Sequence, residues 1–110
     1  MRLVIIESPY AGDIERNVYY AKAAVRDCLS RGESPYASHL FFTQPGILDD
    51  TNKQQRALGI EAGLAWGEKA DATVVYTDLG ISEGMKQGIE RAAKSGRPIH
   101  LRTLAGWEAP

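Results

Sequence analysis

Two short segments carry most of the side chains able to do chemistry, and both stand where an apolar run gives way to a turn. The first is Ser8-Pro9-Tyr10-Ala11-Gly12-Asp13, directly after the run Arg2 to Glu7. A strand that runs into a helix start presents free backbone N–H groups and the positive end of a helix dipole, which together favour phosphate or carboxylate. Ser8, Pro9, Tyr10, Gly12 and Asp13 are therefore candidate ligand contacts, with Asp13 also able to cap the following helix. The spacing is neither GxGxxG nor a Walker loop, and a capped strand-to-helix turn is the alternative.

The second segment is Asp78-Leu79-Gly80-Ile81-Ser82-Glu83-Gly84. Asp78 at a strand end is expected to accept hydrogen bonds from sugar hydroxyls, and Ser82 to cap a helix. Gly80, Gly84 and Gly88 recur every four residues, which lets a ligand lie against backbone. Two carboxylates are candidates for catalysis, Glu83 at the helix start and Glu61 between Gly59 and Gly63; for Glu61 an ion-paired or exposed surface role is the alternative. His39 precedes Phe41-Phe42 and is expected to line the same pocket and touch a base, or else to serve as a structural hydrogen bonder. Cys28 stands alone, without CxxC or a Cys/His cluster, so neither a disulfide nor a metal site is expected, and no cofactor is implied.

The elements that must position these residues follow from periodicity. Arg2 to Glu7 is nearly continuous and β-branched, as in a central strand covered on both faces. Ile14, Val18, Ala21, Val25, Cys28 and Leu29 fall at helical spacing up to Gly32. Ser34 to His39 is a weak strand, and Leu40 to Asp50 reads as a long functional loop. A second helix is expected from about Lys53 to Lys69, with Gly59, Gly63 and Gly67 on one face, each costing about 1 kcal/mol relative to alanine. Such a smooth groove serves close packing inside one subunit or contact with another. Ala72 to Asp78 is the clearest strand. A third helix should run from about Glu83 to Ser95, and Arg97 to Leu101 is a last strand. The tail from Thr103 to Pro110, with Trp107, is left open between packing and fraying.

Strands alternating with helices predict right-handed βαβ units and a parallel sheet. In such sheets ligands bind beyond the carboxyl ends of the strands, where strand order reverses. That rule selects the loops at 8–13 and 78–84.

At 110 residues there is room for one core, so residues 1–110 form a single domain. Thirteen basic and fourteen acidic residues give a net charge of −1 without a run of one sign, which excludes the electrostatic footprint of a nucleic acid polymer. No segment approaches the roughly 20 apolar residues of a membrane helix and no secretory signal is visible, so a cytoplasmic protein is expected.

Several pieces in order resemble the nucleoside 2-deoxyribosyltransferase-like superfamily, particularly its small, often phage-borne members. They are SPYAGD, PYASH, QRALGIEAG, the aspartate after VVYT, and GISEGMKQGIERAAKSGRPI. The resemblance implies an α/β, three-layer Rossmann-like (flavodoxin-like) parallel sheet of four to five short strands with helices on both faces. It also implies a nucleoside or nucleotide ligand and a homo-oligomer with pockets near subunit contacts. In active transferases a glutamate on the last helix attacks the sugar's anomeric carbon, a tyrosine follows the first strand, and aspartates hold sugar hydroxyls. Tyr10 and Asp78 stand at matching places. The glutamate does not, because counting back from Gly96-Arg97-Pro98 puts that position at Gly88. Glu90, two residues on, lies roughly 200° around the helix and cannot substitute.

The leading expectation is accordingly a non-catalytic binder of a nucleotide-derived molecule (nucleotide, cyclic nucleotide or ADP-ribose-like), acting as a sensor or a phage sequestering protein. The alternatives are a deoxyribosyltransferase or N-glycosidase using Glu83 or Glu61, and an oligomeric interaction module.

Overall fold

Alternation along the first strand sets the layout. In the computed structural model, which describes residues 1–108, β1 (Arg2–Glu7) turns Val4 and Ile6 to one face of the sheet and Leu3, Ile5 and Glu7 to the other. The chain continues through α1 (Ile14–Ser30), β2 (Glu33–Tyr36), α2 (Ser38–Phe41), α3 (Lys53–Gly67), β3 (Ala72–Tyr76), α4 (Glu83–Lys94) and β4 (Ile99–Arg102). All pairings are parallel and the strand order is β2-β1-β3-β4. The fold is therefore α/β with a four-strand parallel sheet and helices on both faces, as the sequence led us to expect. Order reverses between β1 and β3, the place where doubly wound sheets open a crevice.

One face is closed by α1. Tyr20, Ala24 and Cys28 pack on Val4, Ile6, Ala72, Val74 and Tyr76, and Leu104 and Trp107 complete the cover. Trp107 meets Tyr20 edge-on at 4.7 Å and Tyr19 at 5.5 Å, so the tail packs on α1 as far as the described residues extend. Polar groups within this face are paired. Arg102 donates from both terminal nitrogens to Glu33, at 2.7 Å each, and from Nη1 to the Tyr76 hydroxyl, which itself donates to Asp27. The guanidinium holds the Glu33 carboxyl below its ordinary range.

The other face carries α4, packed on β1, β3 and β4, and α3, packed mainly on α2. Gly59, Gly63 and Gly67 face neighbours inside the chain: a Cβ at Gly59 would come within 3.2 Å of Leu48, one at Gly63 would overlap Ser38, and one at Gly67 would meet Arg97 at 3.3 Å. The groove is filled within the subunit.

Three expected strand boundaries shift, the last strand starting at Ile99 rather than Arg97 and running to Arg102. The weak strand at Ser34 to His39 ends at Tyr36, and Ser38 starts a single helical turn, with Phe41 N bonding Ala37 O at 3.2 Å. The segment taken as a loop thus starts with ordered helix. The strand expected through Asp78 ends at Tyr76, after which Thr77 and Gly80 close a turn. No helix among the described residues is long and apolar enough to cross a membrane.

Candidate functional site

Above the carboxyl end of β1, between the sheet, α2, α3 and the start of α4, lies a cavity of about 210 Å³. That restricts it to a small ligand, below the roughly 300–1,000 Å³ of the usual drug-sized cleft. Each wall has one origin in the fold. β1 and the turn after it supply Ile5, Glu7, Ser8, Tyr10 and Ala11; α2 and the segment behind it supply Ser38, His39, Phe42, Thr43, Leu48 and Asp50. From α3 come Gln55, Arg56, Gly59, Ile60, Gly63 and Leu64, and from α4 Glu83, Gly84, Met85, Gln87 and Gly88, with Ser82 at its cap and Arg97 behind it.

Glu7 forms the centre of the floor. Gly88 faces its carboxyl so closely that a Cβ there would overlap it, so the missing side chain on α4 is what lets the Glu7 side chain lie down. Burial pushes its pKa from 4.5 up to about 8, only partly offset by the positive charge of Arg97. Among the described residues no hydrogen bond and no ion pair within 4.0 Å engages this carboxyl. Arg97 is held elsewhere, its Nε donating to Thr73 Oγ1 at 3.0 Å.

Beside it, Ser8 Oγ lies 2.7 Å from His39 Nε2. Ser8 is buried, and burial pushes the pKa of His39 from 6.5 down to about 4, so the imidazole is neutral at pH 7. A neutral ring has one donor and one acceptor nitrogen, and the Oγ···Nε2 contact is compatible with either tautomer. The rim is charged and wet. Arg56 approaches Asp50 at 4.0 Å, and Glu83, with 87% of its side chain exposed, pairs with Lys86 at 3.0 Å.

The residues singled out from sequence divide. Ser8, Tyr10, His39, Ser82, Glu83 and Gly84 all line the cavity. Ser82 also accepts from Met85 N and caps α4. Pro9, Gly12, Asp13, Glu61, Asp78 and Gly80 do not line it. Asp13 caps α1, accepting from Arg16 N at 3.2 Å; Gly12 and Gly80 take φ of +100° and +83° in their turns, where a side chain would be strained. Glu61 is exposed on the outer side of α3.

Asp78 is the main correction. It is two residues beyond Tyr76 and shares its face of the sheet, the α1 face, whereas the cavity is on the face of Glu7. Its carboxylate accepts from the Tyr20 hydroxyl at 2.6 Å and from Leu104 N at 3.0 Å. It joins α1 to the tail and stands outside the lining of the cavity. Glu7 and Arg97, by contrast, escape a reading based on loops. The available signal is a carboxylate in phase with Ile5 on a buried strand, opposite a helix glycine.

Among solved structures, a 2-deoxyribosyltransferase from the psychrotolerant bacterium Bacillus psychrosaccharolyticus is similar, with a TM-score of 0.65, 17% identity, and 98% of this chain and 77% of that chain covered. At that identity the likeness concerns the fold. No curated protein matches. The family model described as "Domain of unknown function (DUF7768)" matches residues 2–102, and the chain belongs to that family.

Proposed function

We propose that the cavity binds a small molecule derived from a nucleoside or nucleotide. The observation that carries this reading is the composition of one small cavity at the switch point of a parallel sheet: a polar floor of Glu7, Ser8 and His39 faces an apolar wall of Phe42, Leu48 and Ile60. A base can lie on that wall, where an aromatic ring adds roughly 1–3 kcal/mol by stacking. The sugar would then face the floor, within reach of the Ser8 and Tyr10 hydroxyls. The similar solved structure supports the reading, since it is described as a biocatalyst for the synthesis of nucleosides.

An empty space opposite Gly88 is the premise for a binder that leaves its ligand intact, as a sensor or sequestering protein would. That space holds the Glu7 carboxyl, so binding and turnover are compatible in this pocket. Calorimetric titration of the full chain with nucleosides, their monophosphates, cyclic nucleotides and ADP-ribose tests the proposal. We expect heat from at least one class, and weaker binding for Phe42→Ala. Silence across the whole panel would overturn it.

A further inference from the structure

Among the described residues three carboxyl groups line the cavity, and Glu7 is the one without a cationic partner within 4.0 Å; Asp50 and Glu83 stand beside Arg56 and Lys86 at the rim. Glu7 comes from β1, and its side chain occupies the volume that Gly88 leaves free on α4. With no hydrogen bond or close ion pair among the described residues, its oxygens are free for whatever enters the cavity. The packing here is tight enough to fix the group, since any side chain at 88 would displace it. An ionisable group that is largely buried, positioned and unpartnered, with its oxygens still open to the cavity, is a poor structural element, because desolvating a polar group without a partner is unfavourable.

We propose that Glu7 is the general acid of a catalytic site in this cavity, giving its proton to the nitrogen of a base as that base leaves its sugar. The inference rests on the nucleoside reading above. The step balances without any oxidant or reductant. The bond between the sugar carbon and the base nitrogen breaks, its electron pair stays on the nitrogen, and that nitrogen takes the Glu7 proton. A water oxygen bonds to the sugar carbon, and the proton it releases returns through solvent to the Glu7 carboxylate. The products are a free base and a free sugar.

The protonation state agrees with this role, because desolvation keeps Glu7 neutral up to about pH 8. The other titratable groups around the cavity are Tyr10, His39, Asp50, Arg56, Glu83 and Arg97. His39 is already neutral well below pH 7, and Asp50 and Glu83 lie beside Arg56 and Lys86 at the rim.

Chromatography of nucleosides and their monophosphates after incubation with the full chain, run beside the titrations, tests the proposal. The wild-type chain should release base from a compound it binds, with a rate that falls as pH rises through about 8. Glu7→Gln should lower that rate by roughly 100-fold or more, the usual contribution of a general acid, while the compound still binds. Gly88→Ala, which pushes the carboxyl aside without removing it, should also lose most of the rate. A compound that binds and stays intact at high protein concentration overturns this inference and leaves the binding proposal standing. So does a Glu7→Gln chain that keeps the wild-type rate. If nothing in the panel binds, both fall together.

Discussion

The two faces of the sheet are built on opposite terms. Beneath α1, Val4, Ile6, Val74 and Tyr76 are at most 1% exposed, and the polar groups that enter, Glu33, Arg102, Tyr20 and Asp78, are each paired. Beneath α3 and α4 the same strands meet helices through glycines, and the floor contains a carboxyl and a histidine whose charged forms are both disfavoured by burial. One face satisfies every group it buries. The other pairs His39 with Ser8 and leaves the Glu7 carboxyl without a hydrogen bond among the described residues, and perturbed titrations of this kind cluster at functional sites. The difference teaches where to look for stability and where to look for chemistry in a chain this small.

Changes on the α1 face should therefore reduce stability and leave binding alone. The largest effect is expected for Glu33→Ala, which strands the Arg102 guanidinium; both side chains of the pair are at most 11% exposed. Breaking such a pair destabilises by about 3–5 kcal/mol, to be measured by denaturant unfolding. A loss under 1 kcal/mol would remove the contrast between the faces.

The cavity face should behave in the reverse sense. Folded Glu7 titrates near 8 against 4.5 for the ordinary group, so between these values the folded chain binds one more proton than the unfolded chain. Stability from this group is full below about pH 4.5 and is lost as pH rises towards 8. His39 has the opposite slope, losing stability as pH falls from 6.5 to about 4. The two oppose one another in mildly acidic solution, and above pH 6.5 Glu7 acts alone. Glu7→Gln should thus stabilise the folded chain at pH 8 by on the order of a few kcal/mol at most, read by denaturant unfolding, and have little effect near pH 4. Equal effects at both values would mean that the carboxyl is solvated.

Tyr20→Phe is expected to give the smallest change. It removes the hydroxyl that donates to Asp78 and accepts from Asp78 N at 2.9 Å, a loss of about 1–2 kcal/mol. Titration with any ligand found for the cavity should be unaltered, since Asp78 is on the closed face; a weakened affinity would return Asp78 to the site.

The fold was readable because its signals are local. The β-branched run Ala72 to Tyr76 reports its strand directly, and the spacing of Ile14, Val18, Ala21, Val25, Cys28 and Leu29 reports a helix, although the side it buries carries Tyr20, Ala21, Ala24 and Cys28 and leaves Ile14 and Leu29 exposed. Residues after strands and at the following helix start, Ser8, Tyr10, Ser82 and Gly84, could be placed at the cavity because a parallel sheet gathers those segments at one edge. What alternation decides was harder to read. Glu7 ends β1 and its phase sends it to the cavity, whereas Asp78 lies in the turn after β3, where its bond to Tyr20 holds it on the α1 side. Likewise the proximity of Glu7 to Gly88 is a contact between residues far apart in sequence, visible once β1 and α4 are packed.

That contact makes positions 7 and 88 a single choice. A lineage that gains a side chain at 88 must first shorten or redirect the one at 7, and one that keeps an acid on the first strand is confined to glycine on the helix. Related chains should then divide into two groups, each carrying one of the two arrangements, with few intermediates between them.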